Sequence, residues 1–277
     1  MICKLILMPG KRNVHKLFFA LSLSLCLGSG CLPYCSADDL RPPQNLVKTD
    51  LEHFVLYSEK LIKPNDLLIL RRQLMNVRRQ IGQKLGNYFP KKKFDVFLTT
   101  ESTFRRYSKM GDHVAGLFDG RIHLPLIESA QKSAWLKSIL WHEYSHAVVW
   151  LLSRGRCPSW LNEGLAVYHE EDIISKRLKQ LHQMDTGYLL SLNELVPVMD
   201  NLQSQNSEVL ARAYTTAYIG AAYLHSRYSS KSIRDLLEDL AQGETVQQVF
   251  ERRFRLNMDV FEAKIHSFIK AGSMNEK

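Results

Sequence analysis

Leu67, Leu70, Leu74, Val77, Ile81 and Leu85 recur at spacings of three and four, which predicts an amphipathic helix over residues 66–89. Phe54-Val55-Leu56-Tyr57 before it predicts one strand, and the alternating, partly β-branched run 94–99 after it predicts another. Residues 116–125 hold Asp119-Gly120 between two short apolar flanks, a hairpin signal. From Ser133 onward the periodicity is helical, with helices predicted over 133–153, 160–182, 207–228, 231–241, 245–254 and 258–271. The class is therefore α+β. An N-terminal α/β lobe (about 38–132) with a small mixed sheet is followed by a mostly helical lobe (133–277). No composition shift marks a linker, so 38–277 reads as a single domain.

The first 37 residues have a different pattern. Lys4, Lys11, Arg12 and Lys16 come without an acid, residues 17–27 are almost purely apolar, and Cys35-Ser36-Ala37 supplies small side chains. These are the marks of a secretory signal peptide. The apolar run is too short for a membrane span, which needs about 20 residues; a buried N-terminal helix is the other reading. A second cleavage, before Cys31, would leave a lipid anchor there and end the signal at residue 30. Either way the protein is expected outside the cytoplasm, secreted or in the periplasm or cell envelope. Four of the five cysteines lie in this leader, so Cys157 alone would remain. One cysteine cannot form an internal disulfide.

Composition changes the picture little. Hydrophobic residues at 45% and charged residues at 23% fit a globular chain and exclude disorder. Thirty-seven Lys and Arg against 28 Asp and Glu give a formal charge of +9. Loss of the leader would reduce this to about +5, so the basic character is modest. Arg71, Arg72, Arg78 and Arg79 form a basic stripe on the long helix and Lys91-Lys92-Lys93 follows. A solvated helix face and contact with anionic envelope material both account for it. Nucleic-acid binding would need a recognised module or interleaved aromatics, and neither is present.

The chemistry is carried by His142-Glu143-Tyr144-Ser145-His146, inside the helix predicted over 133–153. Side chains at i and i+4 leave a helix from nearly one face, so both imidazoles can reach one ion. Glu143, about 100° round the helix, is too short to join them comfortably, but can reach a water at that ion. Gly155 and Pro158 close the helix, and Trp160-Leu161-Asn162-Glu163-Gly164-Leu165-Ala166 follows. A second helix doubling back would aim Glu163 at the same ion. Two imidazoles and one carboxylate, with a fourth position open, make a catalytic zinc site with one Zn2+ per chain. Donors of this kind also accept other first-row divalent ions.

The pair of motifs resembles the gluzincin metallopeptidases, which include thermolysin and the aminopeptidase N family, and most closely the peptidase MA-like family. The similarity covers roughly residues 50–270. It implies a zincin-like fold, peptide or protein substrates, zinc held by His142, His146 and Glu163, and Glu143 as general base. An oxyanion donor is also required; Tyr214 and Tyr218, one turn apart, are the candidates, with His225 a further one. Equally, both tyrosines suit a helical core stripe. The resemblance also places an edge strand for the substrate at Arg121-Ile122-His123-Leu124.

Two departures qualify this. The aminopeptidase N motif Gly-x-Met-Glu-Asn, whose glutamate holds a free α-amine, has no counterpart in residues 116–125, so an endopeptidase is expected. Thermolysin has an aspartate one turn after its ligand glutamate, where this chain has Val167. The partner of a histidine ligand must then be Glu170 or a backbone carbonyl. A catalytically inactive zinc-binding envelope protein is the competing reading, and metal-dependent hydrolysis of a non-peptide amide would use the same residues.

Overall fold

The computed structural model describes residues 43–108, 115–126, 132–170, 186–202 and 205–274. The leader, with Cys31 and the cleavage sites, and the predicted helix beyond residue 170 lie outside these residues.

Five strands form one mixed sheet. β1 (Val47–Asp50) runs antiparallel to β2 (Phe54–Ser58), and β2 runs parallel to β3 (Phe94–Thr100). β3 runs parallel to β5 (Ile122–Leu126), whose other side carries the two-residue antiparallel strand β4 (Leu117–Phe118). The order is β1-β2-β3-β5-β4. This corrects one expectation: Ile122 and His123 are inside the sheet, paired on both sides, and Leu117 and Phe118 form the edge. The reason is the Asp119-Gly120 turn. Gly120 takes φ +99, where a side chain would be strained, and folds the earlier strand onto the outside of the later one.

Helix α1 (Pro64–Lys84) crosses between β2 and β3 and buries Leu70, Leu74, Val77 and Ile81. It ends five residues before the predicted limit, because Gly86 and Asn87 adopt left-handed φ values of 65 and 59. Phe89 then folds back over Gly82, where a Cβ would collide with its ring. A short helix, α2 (Glu101–Ser108), follows β3 and was not evident from periodicity.

The motif helix α3 (Lys132–Ser153) lies against both the sheet and the helical lobe. After Arg154 and Gly155, both at positive φ, the chain reverses into α4 (Ser159–His169). The remaining helices are α5 (Leu192–Asp200), α6 (Ser207–Arg227), α7 (Ser230–Ala241), α8 (Val246–Val249, continued by a π turn over Phe250–Phe254) and α9 (Met258–Met274). The packing that matters for the site is α4 on α6. Gly164 meets the Ala217 carbonyl so closely that a Cβ could not be accommodated, and Ala213, Ala217 and Ala221 keep that face of α6 thin. One hydrophobic core joins both lobes, from Phe54 and Leu74 through Trp141 and Tyr144 to Trp160, Phe250 and Phe261. No helix among the described residues is long and apolar enough to cross a membrane.

Candidate metal centre

His142 and His146 leave α3 on one face with ring centroids 4.6 Å apart. α4, returning alongside, brings Glu163 between them. His142 Nε2 is 3.5 Å from Glu163 Oε2, and His146 Nε2 is 3.7 Å from Glu163 Oε1. Donors about 2.1 Å from an ion at tetrahedral angles stand about 3.4 Å apart, so Glu163 is near zinc-shell spacing from each imidazole, and the three donor atoms all lie within 4.8 Å of one another. All three side chains are buried.

The hydrogen bonds behind the imidazoles point the same way. His142 Nδ1 donates to Glu170 Oε1 at 2.6 Å, and Ser138 Oγ donates to the other oxygen of that carboxylate at 3.1 Å. His146 Nδ1 donates to Asn162 Oδ1 at 3.0 Å. With Nδ1 protonated in both rings, each Nε2 keeps a lone pair directed inward. His142 Nε2, His146 Nε2 and Glu163 Oε2 are buried and have no hydrogen-bond partner. Three unsatisfied acceptors at one point are costly unless a cation joins them. The charge balance agrees: with no metal, burial opposes a charged His142 but Glu163 and Glu170 outweigh it and push its pKa up to about 10, so a proton is drawn to the place a divalent cation would take. A positive charge is favoured at this position, and the donor set fits zinc.

Glu143 is close by but separate from the cluster of possible metal ligands, which contains His142, His146 and Glu163. Both its oxygens are buried without a hydrogen-bond partner. Burial, assisted by the Glu163 and Glu170 charges and opposed by His142, pushes its carboxyl up to about 8. It faces Gly116, immediately before edge strand β4; a Cβ there would stand 3.1 Å from Glu143 Oε1.

Of the two tyrosines, α6 brings Tyr214 to the ligands. Its hydroxyl is directed at the Glu163 carboxylate as a hydrogen-bond donor, and burial together with the surrounding carboxylates holds its own pKa well above the ordinary tyrosine value. Tyr218, a turn further on, is buried with its ring 6.5 Å from that of Tyr168. His225 stacks on Tyr168 at 4.2 Å and is pushed by burial down to about 3. Behind the site Ser145 and His169 form a buried pair at 2.7 Å.

The stretch 122–271 matches the model of the Peptidase MA superfamily, which covers the hairpin's second strand, both motif helices and the helical lobe as far as residue 271. This chain belongs to that superfamily. With its His142–His146–Glu163 group intact it is a metallopeptidase, and zinc is the ion its family and donor set favour. A comparison with curated proteins gives no match.

Two supporting residues were only partly visible in the sequence. Asn162 stood in the quoted motif without a role, although its place next to Glu163 turns it toward the His146 imidazole. Glu170 was one of two alternatives. Gly116 gave no signal, because its importance lies in a contact with a residue 27 positions later.

Proposed function

We propose that the protein is an exported endopeptidase that cuts internal peptide bonds of extended segments, with Glu143 as general base. The observation that carries this reading is the juxtaposition of three convergent, unsatisfied donors with a separate buried carboxylate. His142, His146 and Glu163 would hold the ion. Bound there, zinc supplies Lewis acidity toward the scissile carbonyl and toward water.

The chain's own groups do the rest. Glu143 Oε takes a proton from the attacking water and returns it to the leaving amine. Both its oxygens are buried without a hydrogen-bond partner, which leaves them available to that water. The Tyr214 hydroxyl, whose single proton goes to Glu163 in the resting site, turns from that carboxylate to donate toward negative charge developing on the substrate oxygen. Among the described residues β4 pairs on one side only, which makes it the strand beside which an extended substrate would lie, although Leu117 and Phe118 are themselves buried.

Endopeptidase action is supported by the fate of Asp119, the acid in the turn that follows that strand. Its carboxylate is taken by Arg121 at 2.7 Å and by His123 at 3.0 Å, so it does not serve as an anchor for a substrate's α-amine. Export rests on the basic and apolar leader, with Cys31 as the residue for a lipid anchor if the earlier cleavage is used.

Zinc content and a mixed-peptide digest read by mass spectrometry test this together. The wild type should carry about one zinc and cut within peptides, and Glu143→Gln should keep the metal and lose cleavage. A zinc-loaded wild type that cuts nothing would assign the centre a binding role. Release of single N-terminal residues would overturn the endopeptidase reading.

A further inference from the structure

We infer that the outward face of α1 is a docking surface for an anionic lipid membrane. The helix buries Leu70, Leu74, Val77 and Ile81 on one side. On the opposite side Leu68 is 54% exposed and Met75 44%, seven residues apart and therefore on one stripe. Arg71, Arg72 and Arg79 are exposed among them. The helix contains one acid, Asp66, and it is buried. Leu61, in the turn leading into α1, is 71% exposed.

An ordinary water-facing helix mixes both signs of charge with small or polar residues. This face alternates guanidinium groups with long aliphatic side chains and carries no carboxylate. Further along the chain, Arg78 lies over the exposed ring of Phe89 at 5.2 Å, and Lys92 over that of Trp150 at 5.6 Å. The combination suits a bilayer interface. Apolar side chains enter the boundary between headgroups and acyl chains, while arginines meet the lipid phosphates. A soluble acidic polymer would match the arginines and give Leu68 and Met75 nothing to enter. The face therefore favours lipid, and it does so whether or not the metal centre is a peptidase.

Sedimentation of the purified chain with vesicles tests it. Wild type should bind phosphatidylcholine vesicles containing phosphatidylglycerol, bind phosphatidylcholine alone far more weakly, and be released by salt. Each arginine near an anionic surface is worth about fivefold, so Arg71→Ala/Arg72→Ala/Arg79→Ala should weaken binding about a hundredfold. Leu68→Ala/Met75→Ala should weaken it by about tenfold. Zinc content and helical circular dichroism should stay unchanged in both, since these side chains point away from the core. Equal binding to both vesicle types, or none to either, would overturn the inference. So would a Leu68→Ala/Met75→Ala variant that binds like wild type while polyglutamate competes with the vesicles; that outcome assigns the arginines to a soluble acidic partner.

Discussion

Gly116 and Glu143 are in contact: a Cβ on the glycine would stand 3.1 Å from Glu143 Oε1 and collide with Ile139. The missing side chain lets the start of the edge strand approach the carboxylate. Gly116→Ala should therefore displace either the base or the strand. Cleavage should fall by at least tenfold with zinc content unchanged, as metal analysis beside a peptide assay would show. Unchanged cleavage would mean that this approach has no catalytic weight.

Tyr214 should matter in a different way. Tyr214→Phe removes one hydroxyl from a buried ring and leaves the packing of α6 as it is. Losing a donor to a developing oxyanion costs about a hundredfold to a thousandfold in kcat. KM should change little at saturating zinc, while zinc affinity should fall, because the same hydroxyl donates to Glu163. Tyr218→Phe should leave kcat within about threefold, because its ring packs toward Tyr168.

Glu170 and Asn162 orient the imidazoles and do not reach the ion position themselves. Replacing an outer hydrogen-bond partner of a histidine ligand typically lowers metal affinity 10- to 100-fold. Glu170→Gln and Asn162→Ala should each do so in a competition titration with a chelating dye. Removal of zinc should lower the melting temperature, since an ion at a hundred times its dissociation constant contributes about 2.7 kcal/mol.

The hairpin has its own pH signature. Burial works against the Asp119 carboxylate, but hydrogen bonds from His123 and Arg121 outweigh it and hold the carboxyl well below the usual range. Tyr107 closes the chain with a 2.9 Å hydrogen bond to the other nitrogen of His123. A depressed folded pKa gives stability that is present above the ordinary carboxylate value of about 3.9 and is lost as pH falls toward the folded value. Thermal melts of Asp119→Asn should be lower than wild type near neutral pH, and the gap should narrow in acid.

Gly164→Ala would push α4 off α6 at the Ala217 carbonyl. Overpacking of this kind costs about 1–3 kcal/mol. A chemical denaturation curve should show the loss. Cleavage should fall as well, because the same displacement carries Tyr214 away from Glu163.

The metal ligands were legible because their geometry is local. Residues 142 and 146 share a helix face under any tertiary fold, and a short connection leaves the next helix little choice but to return beside the first. The order of the sheet was not legible in that sense. Whether Leu117 or Leu124 lies outermost depends on which neighbour β3 accepts, and the alternation within the strands does not specify that. β1 is largely exposed and so lacks the buried alternation that marks a strand. Helix α2 has only Phe104 and Ser108 buried, too few to set a period. Pro197 inside α5 reads as a breaker, although the Ser191–Glu194 capping box starts that helix firmly. α1 was overextended because its apolar period continues through Leu85, while Gly86 decides where it stops.

The outer strand of the sheet is only two residues long. On the endopeptidase reading proposed above, a polypeptide lying along it would be held over a very short run of peptide groups, and by main-chain atoms that are the same in every sequence. Helices, whose amides are already engaged, are poor guests there, whereas loops, frayed ends and unfolded chains offer the needed geometry. On that reading, selectivity would be for conformation first and for side chains second, so a damaged or incompletely folded chain would be cut before a native one.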